Sequence, residues 1–331
     1  MTRLHTSSRG AGKASVPQGT HAWRRWWVRR HPRQKWACAG IAAGFLCFHA
    51  ALGGLRADHV LLAAVYTGLY YGGPKLRPAY RLLLPLVLML AAFDAQRYIA
   101  ADWRLAIHVA APYRFDERFF GISTTDGVLL PSQWLQLHTG PILDGVTSVA
   151  YIAFVPFYIA VAGYFYWRPA ADGARAERQA GAVGMMWAML WLNLAGSVTY
   201  YLYPAAPPWY VDLYGLGPAR PDALPSAAGA ARFDALFGVS WFRDYYALTP
   251  NVFGAIPSLH VAIPLLAVIY AFRFGALRLA TTGYFLLVCF SALYLNHHYV
   301  VDLLWGAFYA VAVGMVMIMR VPRSPRPQSR P

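Results

Sequence analysis

The stretch Tyr299-Val-Val-Asp302-Leu-Leu-Trp-Gly-Ala-Phe-Tyr-Ala-Val-Ala-Val-Gly-Met-Val-Met-Ile-Met319 decides the fold class. It is long enough to cross a bilayer as a helix, and Asp302 is its one charged residue. A carboxylate one turn inside an apolar helix is costly, and such groups are usually functional. His297 and His298 stand just before the run and Arg320 just after it.

Comparable runs recur at about 36–55, 59–73, 80–100, 146–167, 180–203, 257–272 and 276–296. The second of these is short, a mismatch that tilt and local thinning accommodate. The expectation is an all-α polytopic membrane protein of about eight transmembrane helices. Composition agrees: 58% of residues are hydrophobic and 13% charged, where a soluble domain carries roughly a quarter charged. Mean hydropathy is +0.37. The 12 Trp and 22 Tyr suit interfacial belts. Cys38, Cys47 and Cys289 each lie inside an apolar run and read as packing residues.

Four segments follow: 1–35, a basic, disordered cytoplasmic tail with a Trp/Arg cluster at 23–30 on the membrane surface; 36–100, the N-terminal transmembrane helices; 101–320, the catalytic membrane domain; and 321–331, a second cytoplasmic tail. The 36–55 run is of spanning length and further spans follow it, so it reads as an uncleaved first helix and not a signal peptide. The net charge of +15 raises nucleic-acid binding as an alternative, but the basic residues flank apolar spans, where they set topology. With the N-terminus cytoplasmic, Lys75, Arg77 and Arg81 fall on that side, as do Arg168, Arg175, Arg178, Arg273, Arg278, Arg320, Arg323 and Arg326. Segments 101–145 and 204–256 then lie outside, with Arg104, Arg114, Arg118, Arg220, Arg232 and Arg243 as exceptions, and Arg56 counts mildly against the scheme.

Two motifs bring ionisable groups to external helix ends. In Asn251-Val-Phe-Gly-Ala-Ile-Pro-Ser-Leu-His260, Pro257 suits a first helical turn, which places Ser258 and His260 at a positive dipole end able to receive an anion. In Tyr294-Leu-Asn-His-His298-Tyr-Val-Val-Asp302, His298 and Asp302 are four apart and share a helical face. A carboxylate on one imidazole nitrogen raises the basicity of the other, which suits a histidine nucleophile, with His260 as the acid. A purely structural His298–Asp302 pair is the plainer alternative. A zinc site from His260, His298 and Asp302 has the right ligand types, although nothing in the spacing demands a metal. His49, His59 and His108 read as satisfied interfacial residues.

Phe253-Gly-Ala-Ile-Pro-Ser-Leu-His260 and His297-His-Tyr-Val-Val-Asp302 resemble segments of inositol phosphorylceramide synthases, within the type 2 phosphatidic acid phosphatase superfamily. Tyr203-Pro-Ala-Ala-Pro-Pro-Trp-Tyr-Val-Asp-Leu-Tyr-Gly-Leu216 and Ala231-Arg-Phe-Asp234 extend the likeness, which covers about residues 115–305. The resemblance implies a six-helix core and transfer of phosphoinositol from a phosphatidylinositol-like donor to a ceramide-like acceptor. It implies His298 as nucleophile, Asp302 as its orienting partner, His260 as leaving-group acid, a phosphohistidine intermediate, and no metal or other cofactor. It also implies a site facing the periplasm of a bacterial inner membrane, or the Golgi lumen in a eukaryote. The wider superfamily's Lys-x6-Arg-Pro motif is missing, and Ala292 stands where its Ser-Arg pair would place Arg after Ser291. Arg232, Arg243 and His297 are candidate phosphate partners. Tyr210, Asp212 and Asn251 are candidates for binding a polyol, and Trp209 could stack on its ring. Asp116 and Asp126 carry the same choice between substrate contact and anchoring. The partners are membrane lipids and no nucleic acid. A lipid phosphate phosphatase, and a transporter or scaffold with a dead site, are the rival readings.

Overall fold

The computed structural model describes residues 25–28, 32–99, 105–170 and 172–321. Most of the expected N-terminal tail, Arg104, and the tail from 322 onward lie outside these residues. The chain divides into two compact units, residues 1–81 and 82–331.

In the first unit, α1 (Pro32–Ala51) packs on α2 (Ala57–Tyr71). The Tyr71 hydroxyl donates to the Lys35 carbonyl at 2.7 Å, and the Arg56 N–H donates to His59 Nδ1 at 3.2 Å. α3 (Arg77–Ala95) runs into the second unit and ends in a 3-10 turn, Gln96–Tyr98.

The second unit continues with α4 (Ala110–Phe120), a hairpin of β1 (Ile122–Thr124) and β2 (Gly127–Leu129), and α5 (Pro131–Gln136). Among the described residues this hairpin is the only sheet. α6 (Pro141–Ile152) and α7 (Phe154–Trp167) follow, then the long α8 (Asp172–Leu202). Three short helices cross the segment between α8 and the Pro-Ser-Leu-His motif: α9 (Pro208–Tyr214), α10 (Ala231–Phe237) and α11 (Trp241–Ala247). The last three are α12 (Leu259–Phe274), α13 (Arg278–Tyr294) and α14 (Val300–Met319).

A helix thus stands at every expected span. Arg77–Tyr98, Gly173–Leu202 and Val300–Met319 are long and apolar enough to cross a membrane, and α6 with α7 makes a fourth span if the bent pair counts as one. Lys35–Ala51, Leu259–Phe274 and Arg278–Tyr294 are apolar but shorter. The protein is an all-α polytopic integral membrane protein.

The 146–167 run was expected as a span, but α6 and α7 meet at 58°. Pro156 explains the break: it has no N–H to donate, and its ring collides with the carbonyl four residues earlier, that of Ile152. Pro257 also differs from expectation. It precedes the N-cap, Ser258, and α12 begins at Leu259. α12 packs against α8, α13 and α14 over a core that includes Tyr158, Met185, Leu266 and Tyr270. The buried Tyr158 hydroxyl is satisfied by the Met185 carbonyl at 2.7 Å.

Candidate active site

α12 and α14 begin side by side. The Ser258 N–H donates to the Asp302 backbone carbonyl at 3.0 Å, so the two helix starts are joined through main-chain atoms. The approach is close enough that a β-carbon on Gly306 would collide with the Ser258 carbonyl oxygen. Tyr200 of α8 donates its hydroxyl to the Pro257 carbonyl at 3.0 Å, which fixes the entry to α12.

This junction places the three residues of the expected triad. Asp302 is fully buried in the first turn of α14. Its Oδ2 lies 3.1 Å from His298 Nδ1 and also accepts the Tyr299 N–H at 2.9 Å. With Nδ1 so engaged, the ring nitrogen of His298 left for chemistry is Nε2. The rings of His260 and His298 are 6.0 Å apart, and both border one cavity of about 350 Å³.

Aromatic rings wall that cavity. Tyr151, beside the α6–α7 break, stacks on His260 at 4.1 Å and on His297 at 5.3 Å, while Phe154 lies 4.5 Å from His260. Tyr246 of α11 also stacks on His297, at 4.7 Å. Burial, with the nearby His298 adding to it, pushes His297 down to about 3. His297 is therefore neutral at physiological pH and offers a hydrogen bond, not a positive charge. Among the described residues no Lys or Arg lines the cavity.

The remaining sequence candidates divide into two sets. Asn251 and Trp209 line the cavity with the histidines. Asn251 Oδ1 accepts the Phe253 N–H at 3.0 Å, and its Nδ2 has no partner among the described residues. Ser258 is buried at the helix cap, its hydroxyl likewise without a partner. Tyr210, Asp212 and Arg232 are not brought to the cavity wall. Asp212 and Arg232 instead brace the turn that carries the histidines. Asp212 Oδ2 accepts from Asn296 Nδ2 at 2.6 Å, where Asn296 adopts the left-handed φ of 58° that opens the turn. The Tyr210 hydroxyl accepts the Arg220 N–H at 2.7 Å. Arg232 pairs with Asp144 at 2.6 Å and donates to the Tyr294 carbonyl at 3.1 Å. Arg243 lies exposed beside Asp244.

Sequence reasoning missed Tyr151 and Tyr246, whose aromatic surroundings give no polar signal, and Asp144, whose partner is 88 positions away. Asp116 stands out as a brace. It is buried, and its two carboxylate oxygens accept the N–H groups of Val300 and Val301 at 2.6 and 3.0 Å, capping α14 beside the triad. His108 stacks on Tyr203 at 3.9 Å, a packing role.

Residues 126–316 match the PAP2 superfamily. The chain is 32% identical to a phosphoinositol dihydroceramide synthase of Bacteroides thetaiotaomicron, over 80% of this chain and 85% of that protein. It is 41% identical to an inositol phosphorylceramide synthase catalytic subunit of Schizosaccharomyces pombe, over 37% of this chain and 29% of that one. With an inositol phosphorylceramide synthase of Candida albicans the identity is 29%, over 70% of this chain and 46% of the relative. The chain therefore spans less than half the length of these two fungal relatives. No solved structure matches. A buried His–Asp pair facing a second histidine, on a chain matched by the family across most of its membrane helices, makes this protein a member of the PAP2 superfamily.

Proposed function

We propose that the protein is a lipid phosphotransferase that moves a phosphoinositol head group from a glycerophospholipid to a ceramide-like acceptor. The observation that carries the reading is the His298–Asp302 bond of 3.1 Å on the wall of a cavity shared with His260. In this reading His298 Nε2 attacks phosphorus, the bond from phosphorus to the diacylglycerol oxygen breaks, and His260 gives that oxygen its proton. The acceptor's hydroxyl then attacks the phosphohistidine and returns a proton to His260, the P–N bond breaks, and His298 is restored. The aromatic walls limit water, which favours transfer over hydrolysis.

Among the described residues no Lys or Arg lines the cavity, which supports a phosphodiester donor. A diester carries one negative charge, whereas a monoester approaches two at neutral pH and asks more of its site. The N–H groups opening α12 supply partial positive charge suited to the smaller load.

Purified protein incubated with inositol-labelled phosphatidylinositol, with and without ceramide, tests the assignment. Label should move to a ceramide product only when ceramide is present. Free inositol phosphate as the sole labelled product would leave the phosphatase reading instead.

We also infer that the site faces away from the cytoplasm, to the periplasm in a bacterial inner membrane or to the Golgi lumen in a eukaryote. Arg168, Arg175, Arg178, Arg273, Arg278 and Arg320 support this, since they cluster at the helix ends opposite the histidines. With the protein in a bacterial inner membrane, a thiol reagent that does not cross that membrane should label Asp222→Cys and spare Ala176→Cys; the reverse pattern would invert the topology.

A further inference from the structure

His298 and His260 are held in different ways. Behind His298 stands a carboxylate, with Asp302 Oδ2 at 3.1 Å from Nδ1. The His260 ring, among the described residues, makes no hydrogen bond and pairs with no carboxylate. The terminal torsion of a histidine is soft, so a ring without a directional bond is oriented only by what packs on it. Two aromatic rings do so. Tyr151 lies parallel to His260, with centroids 4.1 Å apart and planes within 10°, and Phe154 lies 4.5 Å away, inclined by 50°. All three side chains line the cavity. The two rings come from either side of the helix break, Tyr151 from the last turn of α6 and Phe154 from the start of α7. Tyr284 of α13 pins both sides of that break. Its hydroxyl donates to the Ala150 carbonyl at 2.7 Å, and its ring stacks on Phe157 at 3.8 Å. Tyr151 is itself fully buried, which leaves its ring no room to swing.

We propose that Tyr151 and Phe154 form an aromatic clamp that positions His260 to protonate the departing lipid oxygen. This rests on the transferase reading above for the role of His260. Both are positioning residues, acting through the imidazole they hold. A general acid works only within hydrogen-bond reach of the oxygen it serves, and a small misplacement is costly in rate. In the first half-reaction His298 Nε2 forms a bond to phosphorus. The bond from phosphorus to the diacylglycerol oxygen breaks, its electron pair stays on that oxygen, and the His260 proton neutralises it. A carboxylate sets the direction of the nucleophile, and the clamp does the same for the acid without placing a second negative charge beside the phosphate.

The test compares two donors in single-turnover assays on full-length protein in lipid nanodiscs. One is phosphatidylinositol, whose departing diacylglycerol oxygen needs a proton. The other is the p-nitrophenyl ester of inositol phosphate, whose p-nitrophenolate leaves without one. Tyr151→Leu should slow diacylglycerol release roughly tenfold at saturating donor and leave the rate of the p-nitrophenolate burst near wild type. Phe154→Leu should give the same pattern. Tyr151→Phe keeps the ring and should recover phosphatidylinositol cleavage. The burst amplitude counts folded sites, so rates are compared per folded site. Equal slowing on both donors, or Tyr151→Phe as slow as Tyr151→Leu, would overturn the clamp. His260→Ala checks the reading beneath it: phosphatidylinositol alone should slow, and equal slowing on both donors would remove His260 as the acid. In that event, or if wild type cleaves neither donor, the rate at which diethyl pyrocarbonate modifies His260, mapped by mass spectrometry, still decides the clamp. Faster modification in Tyr151→Leu than in wild type supports it, and an unchanged rate overturns it.

Discussion

The Asp116 carboxylate accepts the Val300 N–H at 2.6 Å, tying α4 to the first turn of α14 across 184 positions of sequence. Burial pushes Asp116 up to about 6 from an ordinary 3.8, with the Asp302 charge adding to it, although the two amide bonds pull the other way. The folded value lies above the unfolded one. The group's contribution to stability is therefore complete below about 3.8 and lost as pH rises through about 6. At 1.36 kcal/mol per unit the interval amounts to about 3 kcal/mol. Relative to Asp116→Asn, which does not titrate, the wild-type thermal midpoint in detergent should fall as pH rises from about 5 to about 7. Parallel curves for the two proteins would contradict this assignment.

Asp302→Asn keeps the shape of the side chain and removes the charge behind His298. Turnover should fall about 10³-fold or more while donor-lipid affinity stays near wild type, the pattern of a lost orienting carboxylate. Trapping of labelled phosphohistidine in single-turnover quench experiments should fall in parallel. A variant with normal turnover would return the pair to a structural role.

Gly306 faces the Ser258 carbonyl, so Gly306→Val must drive α14 away from α12 and separate His260 from His298. Overpacking of this kind costs about 1–3 kcal/mol. Activity should be lost more steeply than stability, because the reacting groups need their spacing more than the fold does. Turnover measured below the thermal midpoint of the variant checks it.

Removing the Arg232 side chain leaves the buried Asp144 carboxylate without a cation, held only by the Tyr294 hydroxyl at 2.9 Å. Arg232→Met should destabilise by about 3 kcal/mol, and the double variant with Asp144→Asn should recover part of that loss. Denaturation midpoints across the four proteins give the coupling energy, and additive losses would show the pair to be incidental.

Tyr246 stacks on His297 and walls the cavity. Tyr246→Ala should admit water and raise the ratio of released inositol phosphate to transferred product several-fold. An unchanged ratio in the labelled-lipid assay would assign water exclusion to other residues.

Span positions were legible because a bilayer demands long apolar runs, and the runs at 299–319 and 180–203 correspond to α14 and α8. The 146–167 run was expected as a span, and its break at Pro156 was not read, since hydropathy is blind to a missing N–H. The His298–Asp302 pair was legible because both residues sit on one helix at a fixed spacing. Arg232, Asp212 and Tyr210 stood out as polar residues in recognisable motifs, but their partners could not be read. Arg232 is 88 positions from Asp144, and Asp212 is 84 from Asn296. Pairings across such distances are made by tertiary packing, which no local pattern encodes.

The main-chain bond from Ser258 to Asp302 has a consequence for turnover. Because the carriers of His260 and His298 are clasped through backbone atoms, the geometry proposed for the reaction does not have to be reassembled in each cycle. Any breathing needed to admit one lipid and discharge another is left to the wall formed by α11, whose Tyr245 and Tyr246 border the cavity. A change in that wall can then alter which lipids pass while the proposed reacting pair keeps its distance.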